Sequence, residues 1–150
     1  MNYHSMLQKS YKRPESVLVV VYTLAGEVLM LRRTLPRGFW QSVTGSLEWG
    51  ESPRHAAARE LYEETGLRAG NALVDCAQSS RFPIVRAWRA RYAPYVHFNL
   101  EHRFQLQLPS RRLIRLNPDE HREYRWLPQP RAARLATSWT NRGAILQLSV

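Results

Sequence analysis

The sequence predicts an α/β (α+β) fold, a mixed β-sheet sandwiched between helices, and three observations predict it. Ser16 to Tyr22 is a continuous β-branched and aromatic run, too apolar to alternate and short enough to be a strand buried on both faces. An alanine-rich stretch is framed by Ser52-Pro53 at one end and Gly66 at the other, the punctuation of a helix. Further on, Phe104, Leu106 and Leu108 alternate with Arg103, Gln105 and Gln107, the period of a half-buried strand.

Taken in order, the first strand meets a turn at Ala25-Gly26 and returns through Val28 to Arg32 as a hairpin. Pro36-Arg37-Gly38 interrupts the pattern, and Phe39 to Thr44 is a short strand segment ending at Gly45. An acidic loop runs to Ser52, whose hydroxyl can accept from a free N–H of the first helical turn, while proline at the first helical position loses no hydrogen bond. The spacing predicts a helix over Pro53 to Thr65, with Gly66 taking the left-handed terminating conformation. Leu73 to Ala77 reads as a strand, Pro109-Ser110 turns the Phe104 strand back into Leu113 to Leu116, and Tyr124 to Leu127 is one more strand. Helices are expected over Arg131 to Leu135 and Trp139 to Leu148. Trp40, Trp126 and Trp139 are expected in the core, Cys76 as a small buried hydrophobe, and Arg111-Arg112 on an exposed turn.

One hundred and fifty residues are enough for one domain, expected over 11–150 behind a short extension at 1–10, and 44% hydrophobic side chains exclude intrinsic disorder. One cysteine cannot make an internal disulfide or a cysteine-rich zinc site, which suits a reducing, cytoplasmic setting. The longest apolar run falls far short of the ~20 residues that cross a bilayer, and Met1 to Glu15 lacks the apolar stretch of a signal peptide, so no membrane partner and no processing are expected. The net charge of +10 rests almost wholly on arginine, which suits recognition of phosphate, of nucleic acid or of a small ligand, but also an ordinary solvated surface. Its distribution is more telling, because residues 48–64 hold five glutamates against two arginines.

Glu60 and Glu64 are four residues apart and Glu63 is three from Glu60, so three carboxylates crowd one side of the predicted helix. Like charges at that spacing repel by about 0.2 to 0.5 kcal/mol a pair, and acids in the last turn also oppose the helix dipole. Arg59 can neutralise one of them, and a hard divalent cation such as Mg²⁺, or Mn²⁺, would compensate the others while filling its remaining positions with water and phosphate oxygens. A charged helix face alone is commonly just solvated. The upstream sequence goes further: Gly45, five residues, Glu51, seven residues, then Arg59-Glu60-Leu61-Tyr62-Glu63-Glu64-Thr65-Gly66-Leu67.

That pattern over 45–67 resembles the signature of the Nudix hydrolases at each constrained position. The resemblance implies a Nudix fold and Mg²⁺-dependent hydrolysis of a diphosphate linked to another group. It implies Glu60 and Glu64 as metal ligands, Glu63 as a further ligand or the group acting on water, and Gly45, Glu51, Arg59 and Gly66 as structural support. Outside the signature, Tyr11-Lys12-Arg13-Pro14, Phe39 to Gly45, Arg91 to Pro94, Tyr124 to Leu127 and Ser138 to Arg142 are similar to the branch of the family that acts in folate biosynthesis. That similarity implies release of pyrophosphate from 7,8-dihydroneopterin 3′-triphosphate, with attack at the α-phosphorus. Substrate contacts implied by position are Lys12, Arg33, Thr44, the segment Phe82, Pro83, Ile84 and Val85, and Ser138. Glu120 would be a further metal ligand or act on the attacking water, with Asp119 and Glu123 as the nearest alternatives and His121 beside it. The partner is then a small triphosphate rather than nucleic acid, bound by a monomer or small homo-oligomer. Two alternatives stay open: broader hydrolysis of purine triphosphates such as dATP or 8-oxo-dGTP, and a non-catalytic RNA-binding module, whose mark would be damage to Arg59, Glu60, Glu63 or Glu64.

Overall fold

Strand β1 (Glu15–Thr23) is the axis of the sheet, and the computed structural model, which describes residues 11–150, shows why its sequence does not alternate. The expected extension at 1–10 lies outside the described residues. Val17, Val19 and Val21 face one hydrophobic cluster and Leu18, Val20 and Tyr22 face another, so both sides of the strand are dry. The first cluster is closed by α1 (Pro53–Thr65) through Ala56, Ala57 and Leu61. The second is closed by α2 (Gln129–Leu135) and α3 (Trp139–Leu146) through Ala132, Ala133, Ala144 and Ile145. A sheet between helices is thus what the apolar run required.

The edges of β1 are divided among three partners. Along one edge it pairs in parallel with β6 (Phe98–Leu108), from Glu15 opposite Leu100 to Thr23 opposite Leu108. On the other edge its hairpin partner β2 (Glu27–Arg33) meets it only at Tyr22 opposite Val28, and β4 (Val43–Ser46) takes the half near Ser16. Past the hairpin, β2 turns away to pair with β3 (Trp40–Gln41) and with β7 (His121–Pro128). Strand β5 (Leu73–Pro83) adds to the free edge of β6.

The helix that carries the acids has the expected ends. The Ser52 hydroxyl accepts from the His55 N–H at 3.2 Å, and Gly66, at φ 77°, donates its N–H to the Tyr62 carbonyl.

Several elements depart from expectation. The segment Phe39 to Thr44 is split into β3 and β4 at Ser42, because the Ser42 N–H is taken by the Asn141 side-chain oxygen at 2.8 Å instead of a strand partner. Leu113 to Leu116 is not a strand: Leu113 is 90% exposed, and the segment is held by buried Ile114 and by the Arg115 N–H on the Thr65 carbonyl. β5 continues to Pro83, six residues beyond the expected end, after a register shift at Asp75–Ser79 where Ala77 has positive φ. An edge strand tolerates both the bulge and the proline. That bulge leaves Cys76 half-buried rather than in the core. Of the tryptophans, Trp40 is in the cluster under α2 and α3 and Trp126 packs partly buried against the cluster under α1, but Trp139 is 67% exposed at the start of α3. Among the described residues no helix is long and apolar enough to cross a membrane.

Gly66 ends α1 in a conformation that an L side chain disfavours, and a Cβ there would sit 3.3 Å from that of Arg115. Gly66→Ala should therefore lower unfolding free energy by about 1 to 2 kcal/mol, read as a shift in the denaturant midpoint at constant slope.

Candidate active site

The acids stand together because one arginine organises the loop and helix around them. Arg59, on α1, forms a fork to Glu51 through Nε and Nη2, both at 2.8 Å. Its Nη1 reaches Glu60 at 2.8 Å and Glu63 at 3.3 Å, and Nη2 also donates to the Ser46 carbonyl at 3.1 Å. Glu51 in turn accepts from the Glu48 N–H and meets His55, closing the loop onto the helix. This bidentate pair, with the Glu51 carboxylate only 4% exposed, holds the Glu51 pKa down to about 2.

Gly45 lies at the end of β4 with the Glu60 carboxylate against it, where any Cβ would overlap that carboxylate. Glycine there is a matter of space for the acid. Burial pushes the Glu60 carboxyl up to about 7, partly opposed by Arg59 and reinforced by Glu63 and Glu120. Glu64 is only 2% exposed, and its carboxylate accepts from the Thr44 N–H at 3.1 Å. Burial first, then the Glu60 and Glu120 charges, raise its pKa well above the ordinary value.

Glu120 reaches the same place from the turn before β7. The turn is tightened by the Glu120 N–H on the Asn117 carbonyl, and the Glu120 carbonyl accepts from the Thr34 N–H at the end of β2. Ligand atoms of Glu64, Glu120 and His121 lie within 4.8 Å of one another. His121 is buried and held neutral, its pKa lowered to about 4 by desolvation and by Arg33. The Gln41 amide lies 3.1 Å from its Nε2, so a neutral ring accepts there with its proton on Nδ1, which has no partner. Among the described residues no lysine or arginine pairs with Glu64 or Glu120. A buried Glu64 whose pKa is raised by burial and by the Glu60 and Glu120 charges, with no lysine or arginine paired to it, belongs to a donor set suited to a hard divalent ion.

These acids open into a cleft of about 820 Å³. Glu60, Glu64, Glu120 and Thr44 line it, as do Lys12, Arg33, Phe82, Pro83, Ile84, Val85 and Ser138. Glu63 does not; its carboxylate is half exposed and turned to Arg59. Glu51 and Gly66 also lie off the wall, within the loop and helix end already described. Desolvation where the Lys12 ammonium meets the wall, then Arg91 and Arg33, lowers its pKa, although the residue as a whole is exposed. Its Nζ sits 5.8 Å from the Tyr92 ring, and the Arg33 guanidinium lies 5.7 Å from Phe39 and 5.9 Å from Trp88. Two cations are thus set on aromatic supports near the acids.

Sequence reasoning passed over the other end of the cleft. Ser16, Asn99, Glu101, Thr140 and Trp139 line it from β1, β6 and α3. Polar residues within a strand that also carries core positions were the available signal.

The NUDIX domain family model matches residues 12–148. Dihydroneopterin triphosphate diphosphatase of Escherichia coli strain K12 is 46% identical over 97% of this chain and 98% of its own length. The enzyme of that name from Haemophilus influenzae is 38% identical over 94% of this chain and 90% of its own. The solved structure of the E. coli dihydroneopterin triphosphate pyrophosphohydrolase superposes with a TM-score of 0.85 at 46% identity, covering 93% of this chain and 97% of that one. The chain belongs to the NUDIX domain family and has its fold.

Because Glu51 is held near 2 against an ordinary value of 4.5, its stabilising contribution is complete above pH 4.5 and is lost as pH falls toward 2. Denaturant unfolding measured across that window should lose about 2 to 3 kcal/mol from this group in the wild type, and Glu51→Gln should flatten that part of the profile.

Proposed function

We propose that this protein is a Mg²⁺-dependent pyrophosphohydrolase that converts 7,8-dihydroneopterin 3′-triphosphate to the monophosphate and pyrophosphate. One observation carries the reading: Glu60, Glu64 and Glu120, of which Glu64 and Glu120 have no lysine or arginine partner among the described residues, open into one cleft that Lys12 and Arg33 also line. Relatives that carry the pterin name at 46% and 38% identity, each matched over nearly their whole length, support the substrate.

Glu60, Glu64 and Glu120 are the residues we assign to hold Mg²⁺, with Mn²⁺ as a substitute. The ion supplies charge neutralisation on the phosphate oxygens and a lowered pKa for water. Lys12 and Arg33 bind the triphosphate and set its α-phosphorus toward the acids, with Thr44 and Ser138 offering single hydrogen bonds. Water adds to that phosphorus, the bond to the α–β bridging oxygen breaks, and pyrophosphate departs. The proton of the attacking water passes to a carboxylate. Of the two candidates, Glu120 is favoured because it lines the cleft, whereas Glu63 is engaged by Arg59 on the outer side. Gly45, Glu51, Arg59 and Gly66 hold the loop and helix in register. With Arg59, Glu60, Glu63 and Glu64 all present, nothing favours a non-catalytic RNA-binding role. The lone half-buried Cys76 suits a cytoplasmic setting.

Glu64→Gln keeps the side-chain shape and the Thr44 contact while removing a buried charge. It should lower kcat roughly a thousand-fold without lowering Tm, measured by pyrophosphate release beside thermal unfolding. Chelation of divalent ions should abolish wild-type turnover, and added Mg²⁺ should restore it. The substrate assignment requires kcat/KM for dihydroneopterin triphosphate to exceed that for dATP and 8-oxo-dGTP; equal values would replace it with a general nucleotide activity.

A further inference from the structure

The end of the cleft away from the acids is built in a way that core packing does not explain. On β6, Phe104, Leu106 and Leu108 face the α1 side, and the opposite face presents Asn99, Glu101 and Arg103. Pairing with β1 puts Glu101 beside Ser16, and pairing with β5 puts Asn99 beside Phe82. Asn99 is 4% exposed and Glu101 8%, although a polar strand face at the end of a sheet could have been left to water.

The hydrogen bonding of Asn99 is incomplete in one direction. Asn99 donates its amide N–H to the Ser16 hydroxyl at 2.7 Å, while its Oδ1, also buried, has no partner. Glu101 is met by Thr140, whose hydroxyl is itself 2.8 Å from that of Ser138. The Glu101 carboxyl interacts with the Thr140 hydroxyl, and as a carboxylate it keeps further acceptor capacity. A buried acceptor without a donor destabilises the fold unless something else supplies the donor. Asn99, with its open Oδ1, and Glu101 both line the cleft.

We propose that Asn99 Oδ1 and the Glu101 carboxyl read the edge of the substrate's ring, selecting a 2-amino-4-oxo-pyrimidine edge over an adenine edge. The 2-amino-4-oxo edge, shared by pterins and guanines, presents a ring N–H and an amino group side by side, two donors for two acceptors. An adenine edge presents one amino donor next to a bare ring nitrogen, which would face an acceptor. Phe82, Asn99's cross-strand neighbour, and exposed Trp139 at the first residue of α3 offer aromatic faces on the same wall. Ser16 and Thr140 act as positioning residues. Pocket acceptors discriminate more strongly than added apolar contact, because a wrong edge leaves them buried and unpaired. The inference rests on the pterin triphosphate reading and adds to it the groups that enforce it.

The test uses the intact protein with Mg²⁺ and the variants Asn99→Ala and Glu101→Gln, with Thr140→Val to disturb Glu101 indirectly. Each is checked for wild-type-like thermal unfolding. The expected result is that the ratio of kcat/KM for dihydroneopterin triphosphate to that for dATP falls roughly ten- to a hundred-fold in Asn99→Ala and Glu101→Gln. Binding of dihydroneopterin itself, which carries no phosphate, is followed by its fluorescence and should weaken in parallel. Inhibition by inorganic triphosphate should stay unchanged. A ratio constant within about twofold in the folded variants, or equal losses for both triphosphates, overturns the proposal. If wild-type protein fails to hydrolyse the pterin triphosphate, the functional reading falls; binding of dihydroneopterin that depends on Asn99 and Glu101 would still uphold the ring-reading site. Should either Asn99→Ala or Glu101→Gln fail to fold, the other decides.

Discussion

The fork between Arg59 and Glu51 is the interaction on which the site depends. Three glutamates in the last two turns of a helix are unfavourable by themselves, since they repel one another and oppose the helix dipole. Arg59 offsets this from within the same helix, and its second function is mechanical. By holding buried Glu51 and the Ser46 carbonyl, it clamps the loop from Gly45 to Ser52 against α1. Without that clamp the backbone of β4 would not stand where the Thr44 N–H meets Glu64 and where Gly45 leaves room for Glu60. The pairing is well suited to the task because it is bidentate and largely dry, the setting in which an arginine–carboxylate pair is strongest and cannot be replaced by lysine.

Strand β1 links this acidic corner to the rest of the cleft. The early departure of β2 from β1 creates the gap that β4 enters, and β4 brings Thr44 and Gly45 to the helix. The same departure carries β2 toward β7, whose preceding turn delivers Glu120 and whose first residue is His121. The acids therefore come from two distant stretches of chain, joined because one strand changes partners along its length. On the opposite edge, β6 follows β1 in parallel and brings Asn99 and Glu101 beside Ser16. One strand thus spans both ends of the cleft.

What was legible in the sequence follows this division. The acidic loop and helix are contiguous, and their caps, glycines and charges obey local rules, so the bounds Pro53–Thr65 and the ends at Ser52 and Gly66 could be read from residues alone. Core strands buried on both faces were equally plain. The edge strand was not: β5 is exposed over most of its length and bulged at Ala77, and past Ala77 no residue is fully buried and its side chains, Gln78-Ser79-Ser80-Arg81, are polar, so no apolar alternation marks it. Trp139 misled because bulk suggests burial, whereas its place at the first turn of α3 turns it to the cleft mouth. Leu113 to Leu116 misled because an apolar segment can be anchored by a single residue, Ile114, without joining a ladder.

The charge of the chain has the same two-part logic. A net +10 invites a nucleic-acid reading, but the cations proposed to meet substrate are only Lys12 and Arg33, each placed against an aromatic ring and lining the cleft together with the acids. Lys12 has its pKa lowered by desolvation and by neighbouring arginines, so an arriving polyanion relieves repulsion already present in the wall. The acids carry the mirror-image strain, relieved by a cation. A triphosphate bearing its metal ion satisfies both sides at once, whereas an anion alone would still face the carboxylates and a metal alone would leave the cations crowded. Phosphate and metal together are therefore the ligand for which this end of the cleft is electrostatically complete, which leaves discrimination among triphosphates to the uncharged ring at the other end.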